Sequence, residues 1–177
     1  MKTLIVVDMQ ADFLDGSLPV PNTNLLANHI SLASVGYDLV IATRDWHPGN
    51  HCSFADFGGE WPRHCVKGSP GARLHPLIDT IADIIISKGT NPDEEAFSGF
   101  AGTVLDEILM SRQITGQSAP QVDVCGVALD KCVAATVFDA NAMGFKTRLL
   151  SNLSRGIDEE ECVAVMSIMK QAGVEIV

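Results

Sequence analysis

"VCGVALDKCVAATVFDA", residues Val124–Ala140, is an apolar run that breaks at a glycine and resumes with hydrophobic residues at helical spacing. Such a pattern reads as a buried strand, a tight turn and a helix packed back against the strand. It puts Cys132 in the first turn of that helix. Two readings of this residue stand side by side. A free cysteine beside an apolar helix is commonly a small buried hydrophobe. At a helix N-terminus, however, the dipole and the unpaired N–H groups favour the thiolate and lower a pKa that is otherwise about 8.5, which suits a nucleophile. Cys125, inside the strand, has no such setting, and Cys162 falls within an apolar helical pattern; both read as core. Cys52 reads as packing, and Cys65, next to His64, is left open.

Working outward, short aliphatic runs recur at "TLIVVD" (Thr3–Asp8), "DLVIATRD" (Asp38–Asp45), "ADIIISK" (Ala82–Lys88), "QVDVCGVA" (Gln121–Ala128), "FKTRLL" (Phe145–Leu150) and the terminal "VEIV". Their continuous apolarity fits strands covered on both faces, as in a parallel sheet. Helical patterns lie between them: "NTNLLANHISLASV" with an Asn cap, "AGTVLDEILMSR", and "DEEECVAVMSIMKQAG", which opens acidic and closes with Lys170 and Gly173. The alternation predicts an α/β fold, a doubly wound three-layer α/β/α sandwich on a mainly parallel six-stranded sheet, as one domain over residues 1–177.

Composition narrows the function classes. With 46% hydrophobic and only 19% charged residues, the chain can build an aliphatic core and is not a disordered sequence. A formal charge of -10 makes the phosphate-backbone contribution repulsive, which speaks against nucleic acid and anionic membranes as partners. The five cysteines include no C-x-x-C pair, so neither a disulfide framework nor a zinc ribbon is expected. "MKTLIVVDMQADF" lacks the features of a signal peptide and reads as a first strand of a cytoplasmic protein. No uncharged apolar run reaches the ~18 residues of a membrane span.

In an open parallel sheet, ligands bind beyond the carboxyl ends of the strands. There the sequence places Asp8, Asp45 and Lys88, and, through the turn after Gly126, Cys132. Singly, each has an ordinary reading as a turn former, a solvated terminus or core. Together they supply a nucleophile, a carboxylate to take its proton, and a cation that keeps that carboxylate ionised or holds developing negative charge. The N–H groups of Ala128 and Cys132 are candidates for an oxyanion hole. The long segment Trp46–Pro76 lacks apolar periodicity and reads as a functional loop. Asp45 and His47, two apart on extended backbone, point to one side, and His51 and His64 follow. One carboxylate with two or three imidazoles suits Zn, Fe, Mn or Co, although D-x-H alone is a weak motif. Phe13 and Trp61 either anchor loops or wall a pocket for a flat ring.

"VVDMQADF", "ATRDWHPGNHCSF", "WPRHCVKGSPGA", "ISKGTNPDEEAFSGF" and "VCGVALDKCVAATVFDA" together resemble the nicotinamidases of the isochorismatase-like cysteine hydrolase family, five blocks in that family's order across nearly the whole chain. By position, the resemblance implies a catalytic triad of Asp8, Lys88 and Cys132 and metal ligands Asp45, His47 and His64, with His51 near the metal but not a direct ligand. It implies ring-binding aromatics at Phe13 and Trp61, with Phe97 at a variable position, and a cis peptide between Val127 and Ala128. The implied activity is metal-dependent deamidation of nicotinamide, and of pyrazinamide, through a thioester, which serves NAD salvage. The implied cofactor is one divalent ion, zinc, with iron and manganese as alternatives. A homo-oligomer is left open. Two departures stand out: neither Asp56 nor Glu60 clearly matches an extra acidic residue of some members, and "MSRQITGQSAPQVD" (Met110–Asp123) is slightly long. The rival readings are another hydrolase of this superfamily acting on a different small amide, and a metal- or ligand-binding module with no activity.

Overall fold

The computed structural model describes residues 2–112 and 120–177. Six strands, β1 (Lys2–Val7), β2 (Leu39–Asp45), β3 (Ile84–Lys88), β4 (Gln121–Val127), β5 (Lys146–Arg155) and β6 (Glu175–Ile176), form one sheet in the order β3-β2-β1-β4-β5-β6. Every pairing is parallel. Successive side chains alternate between the faces, so Ile5 and Val7 of β1 enter one core and Leu4 and Val6 the other. The first core also takes Leu105 and Leu109 of α4 (Leu105–Ser111), Val137 and Ala140 of α5 (Ala134–Ala142) and Met169 of α6 (Glu159–Gln171). The second takes Phe13 of α1 (Ala11–Leu14), Leu26 and Ile30 of α2 (Leu26–Ser34) and Ile78 of α3 (Pro76–Ile81). The three-layer α/β/α architecture is as expected.

Local differences have physical causes. β5 continues to Arg155, past the expected end at Leu150, because a register shift between Val124 and Gly126 on β4 lets it resume pairing at Ser154. The expected Asn cap is absent: Asn22 and Leu25 both take left-handed backbone, and α2 starts without a side-chain cap. Asn tolerates that conformation, so it serves the turn instead of the helix end. α6 does carry its cap, with the Asp158 carboxylate accepting the Glu161 N–H at 2.9 Å. α1 and α3 are too short to show a period; α3 is marked by Pro76 at its start and His75 accepting the Leu77 N–H. The centre of the long turn before β4, residues 113–119, lies outside the described residues. Among the described residues, no helix is long and apolar enough to cross a membrane.

Candidate active site

Because β1 to β4 run parallel, their carboxyl ends share one edge. Asp8 follows β1, Asp45 ends β2 directly beside Lys88 at the end of β3, and the chain leaving β4 delivers Cys132. The β1–β4 approach needs glycine at position 126: its φ is +119°, and a Cβ would lie 2.2 Å from the Val7 carbonyl oxygen. Past the cis Val127–Ala128 peptide, Leu129–Val133 forms a π-helical turn that opens into α5. Irregular turns of this kind recur at functional sites. The Lys131 and Val133 N–H groups donate to the Ala128 carbonyl at 3.0 and 3.1 Å.

Lys88 is the hub. Its Nζ lies 2.6 Å from Asp45 Oδ1, 2.9 Å from Asp8 Oδ2 and 3.5 Å from Cys132 Sγ, and it donates to the Ala96 carbonyl at 3.1 Å. All four side chains are buried, with Asp8 fully so. Burial alone would strip the proton from Lys88, but the two carboxylates outweigh it and hold the ammonium well above its ordinary pKa. Burial would raise Asp45, yet Lys88 and His47 hold it well below the carboxylate range. At Asp8 burial prevails over Lys88 and the carboxyl is raised. Thr43 Oγ1 donates to Asp8 Oδ1 at 2.7 Å. Oδ2 meets the Lys88 ammonium as an ion pair at 2.9 Å, and Cys132 lies beside the same carboxylate. A buried carboxylate therefore lies within reach of the thiol.

Cys132 differs from the helix-end expectation. Burial pushes its thiol well above the ordinary value, against the pull of Lys88. Burial thus favours the neutral thiol over the thiolate.

Asp45, His47 and His64 each offer a ligand atom within 4.8 Å of the others, and all three are buried. Their orientation fits a cation. His47 Nδ1 faces the Gly89 carbonyl at 2.9 Å and His64 Nδ1 faces the Pro62 carbonyl at 2.8 Å. A carbonyl requires an N–H there, which leaves each Nε2 as the donor atom toward the centre. His47 Nε2 lies 3.5 Å from Asp45 Oδ2, an approach that calls for positive charge; although burial opposes it, Asp45 raises the His47 pKa. Burial lowers that of His64, which favours its neutral form. Gly89 permits the packing, since a Cβ would sit 2.4 Å from His47 Cε1. His51 is excluded: its Nδ1 meets Ser53 and its Nε2 meets the Glu94 carbonyl. Asp56 pairs with Arg63 at 2.8 Å, and both it and Glu60 are exposed and outside the cluster.

A cleft opens over these groups. Phe13, Trp61 and Phe97 line it together with Asp45, His64, Ala128 and Cys132. Every aromatic candidate thus shares one cavity with the thiol and two of the possible ligands. The Ala128 N–H donates to no backbone carbonyl among the described residues.

The family model described as Isochorismatase domain matches residues 2–177. The chain belongs to the isochorismatase family. Among its relatives in that family, the chain is 39% identical to a nicotinamidase/pyrazinamidase of Mycobacterium tuberculosis, over 100% of this chain and 98% of that protein. It is similar to the pyrazinamidase of Pyrococcus horikoshii solved in complex with zinc, at TM-score 0.88 and 42% identity, covering 99% of this chain and 98% of that one. It is also similar to PnC1 of L. infantum solved in complex with nicotinate, at TM-score 0.92 and 38% identity, covering 100% and 92%.

Several residues of this isochorismatase-family site were not singled out from sequence. Gln10, fully buried, accepts the Asp45 N–H at 2.7 Å and donates to the Asp45 and Ala72 carbonyls at 2.8 and 2.9 Å, clamping the backbone of a candidate ligand. Asp12 accepts the Cys65 N–H at 2.7 Å, next to His64. Thr43 orients Asp8. Cys65, left open from sequence, is fully buried and its thiol is driven far up by burial, so it belongs to the core.

Proposed function

We propose that the chain hydrolyses nicotinamide to nicotinate and ammonia, and pyrazinamide in the same way, through a thioester on Cys132. The observation that carries this reading is Lys88 Nζ within 3.5 Å of both Asp8 and Cys132, with Cys132 lining a cleft walled by aromatic rings.

Asp8 takes the Cys132 proton as Sγ attacks the carboxamide carbon. The resulting oxyanion accepts from the Ala128 and Cys132 N–H groups, while the Lys88 ammonium offsets its charge. Protonated Asp8 then gives its proton to the amide nitrogen, the C–N bond breaks and ammonia leaves. Ionised again, Asp8 takes a proton from water, whose oxygen attacks the thioester carbon; the C–S bond breaks and Asp8 returns the proton to sulfur. Phe13 and Trp61 hold the ring, with Phe97 at the mouth. Asp45, His47 and His64 would hold a divalent ion, zinc in this reading, which would supply a Lewis acid for a ring nitrogen.

The test is an ammonia-release assay across nicotinamide, pyrazinamide and aliphatic amides, with chelation and metal restoration. Release from the two aromatic amides, lost on chelation and restored by zinc, is expected. No release from either aromatic amide overturns the reading, and full activity in metal-free protein removes the metal from it.

A further inference from the structure

The connection between β5 and α6, residues 156–158, is held to the nucleophile-bearing turn by a side chain outside the chemistry above. Asp130 Oδ1 accepts the Ile157 N–H at 2.9 Å and its Oδ2 accepts the Asp158 N–H at 3.1 Å. Hydrogen bonds to an ionised carboxylate are roughly twice as strong as neutral ones. Gly156 allows the close approach, since a Cβ there would lie 2.8 Å from Asp130 Oδ1 and 2.0 Å from Cys162 Sγ. Lys131 adds an ion pair to Glu161 on α6 at 2.8 Å, but those side chains are 31% and 58% exposed, so solvent screens it. The Asp130 carboxylate is therefore the principal side-chain tie, added to the β4–β5 pairing that ends at Val127 and Arg155. Ile157 lines the same cleft as Cys132, two residues beyond Asp130 in the turn.

We propose that Asp130 is a positioning residue that fixes the Ile157 side chain as a cleft wall relative to Cys132, and that Ile157 restricts which substituents the aromatic ring of the substrate can carry. This rests on the amide-hydrolase reading. One turn then carries the nucleophile and also sets the distance to a wall that selects the ring. An apolar wall of this kind discriminates by shape, where a methyl-sized difference is worth about ten- to two-hundredfold in kcat/KM.

The experiment compares wild type with Ile157→Ala, Asp130→Ala, Asp130→Asn and the Ile157→Ala/Asp130→Ala pair on nicotinamide and its four ring-methylated derivatives. Ile157→Ala is expected to raise the kcat/KM of at least one methyl derivative relative to nicotinamide about tenfold or more. Asp130→Ala is expected to shift the same derivative in the same direction, the pair to go no further than either alone, and Asp130→Asn, which keeps one acceptor, to fall between. Hydrogen exchange at the Ile157 and Asp158 amides is expected to rise about tenfold in Asp130→Ala. Unchanged ranking of the methyl derivatives in both single variants, or additive effects in the pair, overturns the proposal. Unchanged exchange overturns the tie itself. Absence of ammonia release from every aromatic carboxamide with wild type strikes the amide-hydrolase reading instead, and exchange in Asp130→Ala still decides whether the carboxylate holds the loop.

Discussion

Two buried charge networks sit in this sheet, and they are wired differently. On β4, Asp123 is fully buried and accepts from Tyr37 at 2.6 Å, from Arg148 Nε at 2.7 Å, from Arg148 Nη2, and from Gln121. Each of its oxygens has hydrogen-bond donors. At the carboxyl edge, Asp8 is equally buried, but its one cation, Lys88, is shared with a second carboxylate and a thiol. The first network gives all its donors to one carboxylate; the second shares one cation among groups whose pKa values it shifts, the pattern expected where chemistry is done.

The comparison breaks most sharply at the thiol. Cys132→Ala is expected to lower kcat for nicotinamide by about 10,000-fold or more with little loss of stability, as for removal of a nucleophile elsewhere. Ammonia release and thermal unfolding on the same sample check both halves. Near-wild-type turnover would show that the sulfur is core and nothing else. Next comes Lys88→Met, which leaves Asp8 and Asp45 buried without their cation. A loss of about 3–5 kcal/mol in stability is expected, with kcat down about a thousandfold, measured by urea unfolding and steady-state kinetics. A variant that folds as wild type and turns over normally would make Lys88 a bystander.

The contrast also explains what could be read from sequence. Asp8, Asp45 and Lys88 were legible because each ends an apolar run, and parallel topology brings such ends together. The six strands were legible for the same reason, to within a few residues except at β5. The cis peptide, the role of Phe97 and the exclusion of His51 as a direct ligand entered only through the resemblance. Burial at Cys132 was not legible: the helix-end argument weighs the dipole, whereas the fold encloses the thiol among carboxylates. Gln10 and Asp130 look like ordinary polar residues in sequence, because what makes them matter is a backbone partner 35 or 27 positions away. Thr43 did carry a signal, a hydroxyl inside the otherwise apolar "LVIAT".

Thr43→Val sharpens the comparison at smaller scale by removing the one side-chain hydrogen bond that Asp8 accepts from a hydroxyl. That bond favours the ionised form, so its loss raises the Asp8 pKa further. In the proposed mechanism Asp8 is a base when ionised, so the acid limb of the kcat/KM profile is expected to move to higher pH, with kcat down about tenfold at neutral pH. An unmoved limb would mean that Asp8 is not the group titrating there.

Arg148→Met applies the equivalent cut to the satisfied network, and there the expected effect is on stability alone. Burial favours the neutral form of Asp123, but hydrogen bonds from Arg148 and Tyr37 prevail and hold its pKa below the usual range. A carboxylate depressed on folding contributes stability that is present above its unfolded pKa of about 3.9 and is lost as pH falls toward the folded value. Removing Arg148 weakens that depression, so unfolding free energies from urea titrations at pH 6.5 and downward should start lower by about 2 kcal/mol and fall less steeply below about pH 4 than in wild type. Turnover of nicotinamide at neutral pH should stay within about twofold, because Asp123 reaches none of the groups around Lys88. A large loss of kcat in this variant, at temperatures where it remains folded, would mean that the two networks are coupled through β4, and the division between a supporting and a reactive end of the sheet would fail.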